Sequence, residues 1–372
     1  MVKRKIIIFS YDFPPSDGGI ARLCHEISIH GSPYYNSVIV LTRQKNGISK
    51  PYNKDNSVKT IEASSRRGRC EIDCLKYLRS IKNKDEYDIL CGLWHPEATI
   101  ALLSGFKNVF VLVHGTELLS GNSLFRKYFW LPVYSRIILQ KAKGVIANSH
   151  YTLGLVKSID KKVRSTAIPL AVNHNFFIPQ QKESKNDIIS ICSVSRIHQY
   201  KGHDFILRTI SKLPSEYQQK IRYNIAGKGK YLPEIEELAR VLHLENIVSF
   251  HGFVEDEALP DFYNKNDLFI LCTREESGSK NVEGFGLVFL EAQACGLPVI
   301  GTHSGGIPDA IENDNGGWLI EQDDEAELSN LLINLIDNPG KLQEMGLRAR
   351  KRVERMCTWV YYCKNLFKFM SE

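Results

Sequence analysis

The feature that most constrains how this chain can fold is a series of short apolar, β-branched runs that alternate with amphipathic stretches, stop, and then begin again. Lys5–Ser10 (KIIIFS) opens the first series and gives way to the turn-rich stretch 12–19. That order is expected of a strand buried on both faces that runs into a glycine loop. Residues 20–30 read as the following helix, and further runs come at 37–42 (SVIVLT), 87–92, 108–113 (NVFVLV) and 144–148 (GVIAN). Strand-like runs separated by helical stretches argue for a parallel α/β sheet.

The second series starts with residues 188–194 (IISICSV) and continues through 223–226, 268–272 and 298–301. Pro169 and the polar stretch 179–187 separate the two series, which places a linker at about 172–187. The reading is therefore two doubly wound units, residues 1–171 and 188–354, which should meet at a cleft. In such sheets ligands bind at the carboxyl ends of the strands. The last segment, WVYYCKNLFKFM (359–370), is apolar at helical spacing, so a helix over about 355–372 is expected to pack back on the first unit. A length of 372 residues with 43% hydrophobic content supplies enough apolar surface for two cores.

Charge is unevenly shared: residues 1–180 hold 26 Lys+Arg against 13 Asp+Glu, whereas residues 181–372 hold 22 against 29. A basic first half fits an anionic surface or ligand, although a solvated lysine surface accounts for any single lysine. Arg66, Arg67, Arg69 and the stretch SLFRKYFWLPVYSR (123–136) mix cations with aromatic rings, the composition of an interfacial contact and equally of a packed helix. No recognised nucleic-acid motif accompanies the charge, so no specific nucleic-acid partner is expected. The chain shows neither an apolar run of about 20 residues nor a basic-then-apolar leader, which points to a cytoplasmic, non-spanning protein. The nine cysteines lack paired C-x2-C spacing and read as reduced core thiols.

One stretch carries chemistry. In VEGFGLVFLEAQACG (282–296), Gly284 and Gly286 flank Phe285 and feed residues 287–294, which read as a helix. A glycine loop entering a helix directs free N–H groups and the positive end of the dipole at one point, where a phosphate is favoured. Glu291 lies one turn beyond Leu287, placed to accept hydrogen bonds from a ribose diol, while Glu283 stands upstream near a group on the far side of the phosphate. The layout suits a sugar diphosphate linked to a nucleoside. Taken singly, each glutamate could be an ordinary helix-terminal or surface charge. The segment AGKGKY (226–231) lacks the third glycine of a dinucleotide fingerprint, and no D-x-D pair that would hold a metal appears.

EGFGLVFLEAQACGLPVI (283–300) resembles the E-x7-E signature of retaining glycosyltransferase family 4, whose members have the GT-B fold of two Rossmann-like domains facing a central cleft. FPPSDGGIARL (13–23), HGTE (114–117), SVSRIHQYKGHD (193–204), AGKGKY and SGGIPDAIENDNGGWLI (304–320) agree in order, so the likeness covers almost the whole chain. The resemblance implies that Arg196 and Lys201 grip the donor diphosphate and neutralise the leaving group, that Glu283 contacts the transferred sugar and that Glu291 contacts the ribose. It further implies that Phe285, Gly286, Leu287 and Val288 offer backbone amides. Gly18 and Gly19 match the loop that closes over the diphosphate, His114 matches the histidine that faces the donor sugar, and Asp17 is a candidate for orienting the acceptor. The AGKGKY segment would border the nucleotide base.

The same resemblance implies a retaining transfer that uses neither metal nor cofactor, with the Arg and Lys replacing a cation. The branch it is most similar to contains bacterial mannosyl- and hexosyltransferases acting on phosphoinositol, lipid-linked or polysaccharide acceptors. GDP-mannose is thus the leading donor, UDP-hexoses or UDP-N-acetylhexosamines the alternative, and the basic first domain would approach an anionic inner membrane face. A non-catalytic scaffold that binds a nucleotide sugar or an anionic polymer is the reading from a different class, as is, among enzymes, a phosphorylase or epimerase.

Overall fold

The computed structural model describes residues 4–16, 18–44, 58–181, 188–276 and 281–372. Two parallel sheets organise them. The first joins β1 (Lys5–Phe9), β2 (Ser37–Arg43), β3 (Val58–Ala63), β4 (Tyr87–Cys91), β5 (Val109–Val113), β6 (Gly144–Ala147) and β7 (Ser165–Ala167) in the order β3-β2-β1-β4-β5-β6-β7. The second joins β8 (Ile189–Val194), β9 (Ile221–Ala226), β10 (Val248–Gly252), β11 (Leu268–Leu271), β12 (Val299–Thr302) and β13 (Gly317–Ile320) in the order β10-β9-β8-β11-β12-β13. Both orders reverse direction once, beside the first strand of the set, at β1/β4 and at β8/β11. That reversal is where open doubly wound sheets leave a crevice beyond their carboxyl ends.

The central strands are mostly apolar, as expected where helices cover both faces of a parallel sheet. Ile6, Ile7, Ile8 and Phe9 of β1 are all fully buried, as are all four residues of β11. All nine cysteines are buried free thiols.

The chain divides into two compact units, Met1–Pro169 with Trp359–Glu372, and Leu170–Thr358. The expected domain limits shift accordingly. Residues 172–181, read from composition as linker, pack on the second unit: Gln180 N–H donates to Asn264 Oδ1 at 2.9 Å, and Arg350 Nη1 donates to the carbonyls of His174 (3.0 Å) and Phe177 (2.8 Å). Residues 182–187 lie outside the described residues. At the other end, Gly340–Met356 is one helix of the second unit, and the returning helix starts at Trp359 instead of about 355. Its stripe Trp359, Tyr362, Cys363, Leu366, Phe367 and Met370 is buried in the first unit. Phe367 meets Tyr34 and Tyr35 at ring distances of 4.7 and 5.4 Å, and Arg164 lies 4.0 Å over the Phe369 ring while Nη2 donates to the Phe369 carbonyl at 2.6 Å.

Candidate active site

In the second unit the site begins where β8 ends. Ser195 and the exposed Arg196 follow the strand, and a short turn at Gln199–Lys201 brings the chain back to the helix His203–Lys212. Gly202 makes that return possible. Its φ is +76°, and a Cβ there would stand 1.8 Å from the Cys272 carbonyl oxygen at the end of β11, so only glycine fits this crossing of two loops. The glycines of AGKGKY have a similar physical cause. A Cβ on Gly227 would lie 1.8 Å from the Ser195 oxygen, and one on Gly229 2.0 Å from the Ile197 oxygen, so the segment lies backbone-on-backbone against the turn that carries Arg196.

Lys201 extends from this turn to Glu283, with Nζ 2.5 Å from Oε2. The lysine side chain is 10% and the glutamate 18% exposed, so the pair is held largely out of water. Burial opposes the charged ammonium, but the Glu283 carboxylate and its hydrogen bond, with Tyr200, outweigh it and hold the Lys201 pKa above its ordinary value. Arg196 acts on Lys201 in the opposite sense. His198 is pushed down, first by burial and then by the charges of Arg196, Lys201 and Lys230. The end of β8 is thus a cluster of cations into which the Glu283 carboxylate is set.

Glu283 is fixed by its backbone. Gly306 N–H donates to its carbonyl at 2.8 Å, and Gly305, at φ +53°, comes so close that a Cβ would stand 2.2 Å from that same oxygen. Two residues on, Phe285 is buried, and Gly286 at φ +90° turns the chain into the helix Leu287–Ala294, with Leu287 and Val288 in its first turn. The amides of a helix's first turn have no acceptor within the helix. Glu291 differs in setting from Glu283: it is buried beneath the helix tip, and its Oε2 accepts from the Tyr263 hydroxyl at 3.1 Å. The second unit therefore brings Arg196, Lys201, Glu283 and the 285–288 tip to the β8/β11 reversal.

The first unit holds the remaining residues. Gly18, at φ +124°, caps the helix Gly19–His30 after β1, and both glycines are exposed. A Cβ at Gly18 would meet nothing within 4 Å, so the backbone angle alone selects glycine there. His114 follows β5, its Nε2 donating to the Gly92 carbonyl beyond β4 at 2.9 Å and its own carbonyl accepting from Asn148 Nδ2 at 3.2 Å. Asp17 lies outside the described residues.

Sequence reasoning passed over two groups. Arg274, after β11, clamps the Lys201 turn: its N–H donates to the Tyr200 carbonyl at 2.7 Å, Nη1 to Asp204 Oδ1 at 2.9 Å and Nε to Asp323 Oδ1 at 2.6 Å. Ser195 and His203 form part of a buried polar chain under the same turn. In the sequence each is a single polar residue, and only the pairing of β8 with β9 and β11 brings their partners within reach.

Two Rossmann-like units, with a cationic strand end and a glycine-tipped helix in the second, have the architecture of the GT-B class of glycosyltransferases. Residues 175–352 match the family described as glycosyl transferases group 1. Across 96% of its length the chain is 27% identical to a GDP-mannose-dependent monoacylated alpha-(1-6)-phosphatidylinositol monomannoside mannosyltransferase of Corynebacterium glutamicum, 95% of which is covered. It is 29% identical to the GDP-mannose-dependent alpha-(1-6)-phosphatidylinositol monomannoside mannosyltransferase of Mycolicibacterium smegmatis, over 71% of this chain and 72% of that one. Among solved structures, sucrose-phosphate synthase from Thermosynechococcus elongatus superposes with a TM-score of 0.78 at 19% identity, covering 99% of this chain and 98% of the other.

Proposed function

We propose that the protein transfers mannose from GDP-mannose, with retention at the anomeric carbon and without a metal, to a lipid-linked or polysaccharide acceptor. The observation that carries the reading is the Lys201–Glu283 pair beside the Gly286 helix tip. In this mechanism the diphosphate lies at the helix tip, and Arg196 with Lys201 neutralises the charge that gathers on it as the bond from C1 to the phosphate oxygen breaks. Stabilising charge where it develops is commonly the largest catalytic contribution. The acceptor hydroxyl enters on the face that the diphosphate leaves, its oxygen bonds to C1, and its proton passes to the departing phosphate. Glu283 positions the sugar and Glu291 the ribose.

The donor and the lipid character of the acceptor are supported by the two mannosyltransferase relatives, both named as GDP-mannose-dependent and as acting on phosphatidylinositol mannosides. An amphipathic acceptor requires the enzyme to work at a membrane. On the first unit Leu124, Phe125, Tyr128, Phe129, Val133 and Ile137 are exposed, with Arg126, Lys127 and Arg136 among them. Inward-facing Trp130 and Tyr134 of the same stretch pack against Trp94 at ring distances of 5.5 and 5.6 Å, so the stretch is partly core and partly open face. We place the enzyme peripherally on the inner face of the plasma membrane. Among the described residues no helix is long and apolar enough to span one.

Saturation-transfer NMR of the full chain against GDP-, UDP- and ADP-sugars tests the donor. Contact with GDP-mannose ahead of the others is expected, while preference for a UDP-sugar would reassign the nucleotide. Binding without transfer to any lipid or glycan acceptor would favour the non-catalytic reading.

A further inference from the structure

Beneath the Arg196–Lys201 turn runs a buried chain of four polar side chains. Ser193 Oγ donates to the Ile270 carbonyl on the neighbouring strand and lies 2.8 Å from the Tyr223 hydroxyl. Tyr223 OH is 3.2 Å from His203 Nδ1, and His203 Nε2 is 2.9 Å from Ser195 Oγ. Ser193, Tyr223 and His203 are fully buried, and Ser195 is half-buried at the mouth of the strand end. Burial, with Lys201 nearby, pushes the His203 pKa down to about 3, so the ring is neutral and carries one proton.

One end of the chain fixes the position of every proton. The Ile270 carbonyl can only accept, so the Ser193 proton is committed to it. Tyr223 must then donate to Ser193, since two lone pairs cannot face each other at 2.8 Å. The tyrosine oxygen consequently accepts from His203, which places the imidazole proton on Nδ1 and leaves Nε2 bare. A bare Nε2 at 2.9 Å requires the Ser195 hydroxyl to donate to it, although the Arg196 carbonyl lies 3.2 Å away as a competing acceptor.

We propose that Ser195 is a specificity-determining residue: with its proton locked inward it offers the site lone pairs only, so it accepts a hydrogen bond from a hydroxyl of the ligand and disfavours a phosphate oxygen. The assignment rests on the reading that the end of β8 receives a nucleotide sugar. The partner hydroxyl belongs to the ribose or to the hexose, both of which present the same chemistry. His203 and Tyr223 are positioning residues that act through Ser195.

The test uses the full chain with three probes, GDP-mannose, GDP and inorganic pyrophosphate, together with 15N spectra of the histidine rings in the free protein. The wild type is expected to show His203 protonated on Nδ1. Ser195→Ala is expected to weaken GDP-mannose by about fivefold, the scale of one neutral hydrogen bond, with pyrophosphate not weakened. A loss shared by GDP assigns the hydroxyl to the ribose, and a loss confined to GDP-mannose assigns it to the hexose. Tyr223→Phe releases the tautomer, so His203 can donate from Nε2 and the Ser195 proton is freed for an acceptor in the site, in competition with the Arg196 carbonyl. GDP-mannose should then weaken and pyrophosphate should tighten, opposite shifts that general loosening of the site would not produce. Equal weakening of both by Tyr223→Phe, or an Nε2–H tautomer in the wild type, would overturn the proposal. A wild type with the expected tautomer that binds pyrophosphate but no nucleotide sugar would instead overturn the donor reading, and with it the ligand assigned to Ser195.

Discussion

Lys201 Nζ lies 2.5 Å from Glu283 Oε2 across 82 residues of sequence, and both side chains are mostly withdrawn from water. Breaking such a pair from one side leaves an uncompensated charge, which costs more than the pair contributes. Lys201→Ala is therefore expected to lower stability by about 3 kcal/mol and, separately, to reduce kcat on the order of 10²-fold at temperatures where the variant remains folded. Chemical denaturation and steady-state kinetics on the same preparation distinguish the two effects. A variant that loses stability but keeps full turnover would remove Lys201 from the chemistry.

The pH dependence has its origin in the same pair. Burial lowers the Lys201 pKa, and Glu283 more than offsets it, so the ammonium persists above the ordinary lysine range. Its contribution to stability and to phosphate binding is complete below that range and fades as pH rises through the raised pKa. In Glu283→Gln the main opposition to burial is gone, and the alkaline limb of the kcat/KM profile should move to lower pH. An alkaline limb at the same pH in both proteins would show that Lys201 does not set it.

Glu97, in the segment after β4, reverses the usual sign for a carboxylate. Burial raises its pKa to about 7, against lowering by its own and the Tyr11 backbone N–H groups, with Asp12 raising and Arg43 lowering it further. Its Oε2 finds no partner among the described residues. A raised pKa favours the folded state below the unfolded value of about 4.3, and that advantage is lost as pH climbs through 7. Glu97→Gln should accordingly be more stable than the wild type at pH 8, on the order of 2 kcal/mol, with no advantage at pH 4. Urea midpoints at the two values decide it.

Much of this fold is legible in the chain. The sequence runs at 5–10, 37–42, 87–92, 108–113 and 144–148 match β1, β2, β4, β5 and β6, because strands covered on both faces read as unbroken apolar runs. The strands that composition did not single out are β3, β7, β10 and β13, the outer strands of both sheets. VKTIEA of β3 is buried only at its two ends, and STA of β7 is only three residues long. At the site, the glycine-tipped helix was readable because Gly286 and residues 287–294 are contiguous. The chain Ser193–Tyr223–His203–Ser195 was not, because parallel strand pairing assembles it from separate segments.

The close loop crossings at the site give a graded prediction. Gly202→Ala and Gly229→Ala would each drive a Cβ into a backbone carbonyl, and each should cost at least about 2 kcal/mol. Gly18→Ala meets open space and bears only the strain of φ +124°, so about 1 kcal/mol is expected. Unfolding midpoints for the three variants test the ranking.

For the apolar face, Phe125→Ser with Phe129→Ser should abolish sedimentation with vesicles of anionic phospholipid at low salt, without shifting the unfolding midpoint of a protein in which both rings are exposed. Wild type that stays in the supernatant at low salt would remove the membrane from the proposal.

The most direct test of the donor site is isothermal titration of GDP-mannose into wild type and into an Arg196→Ala, Lys201→Ala double variant that retains its fold by circular dichroism. Saturable binding by the wild type and a loss of at least about 100-fold in the double variant are expected, two charged contacts to the diphosphate having been removed. Equal affinity in the two proteins would mean that the end of β8 does not hold the pyrophosphate.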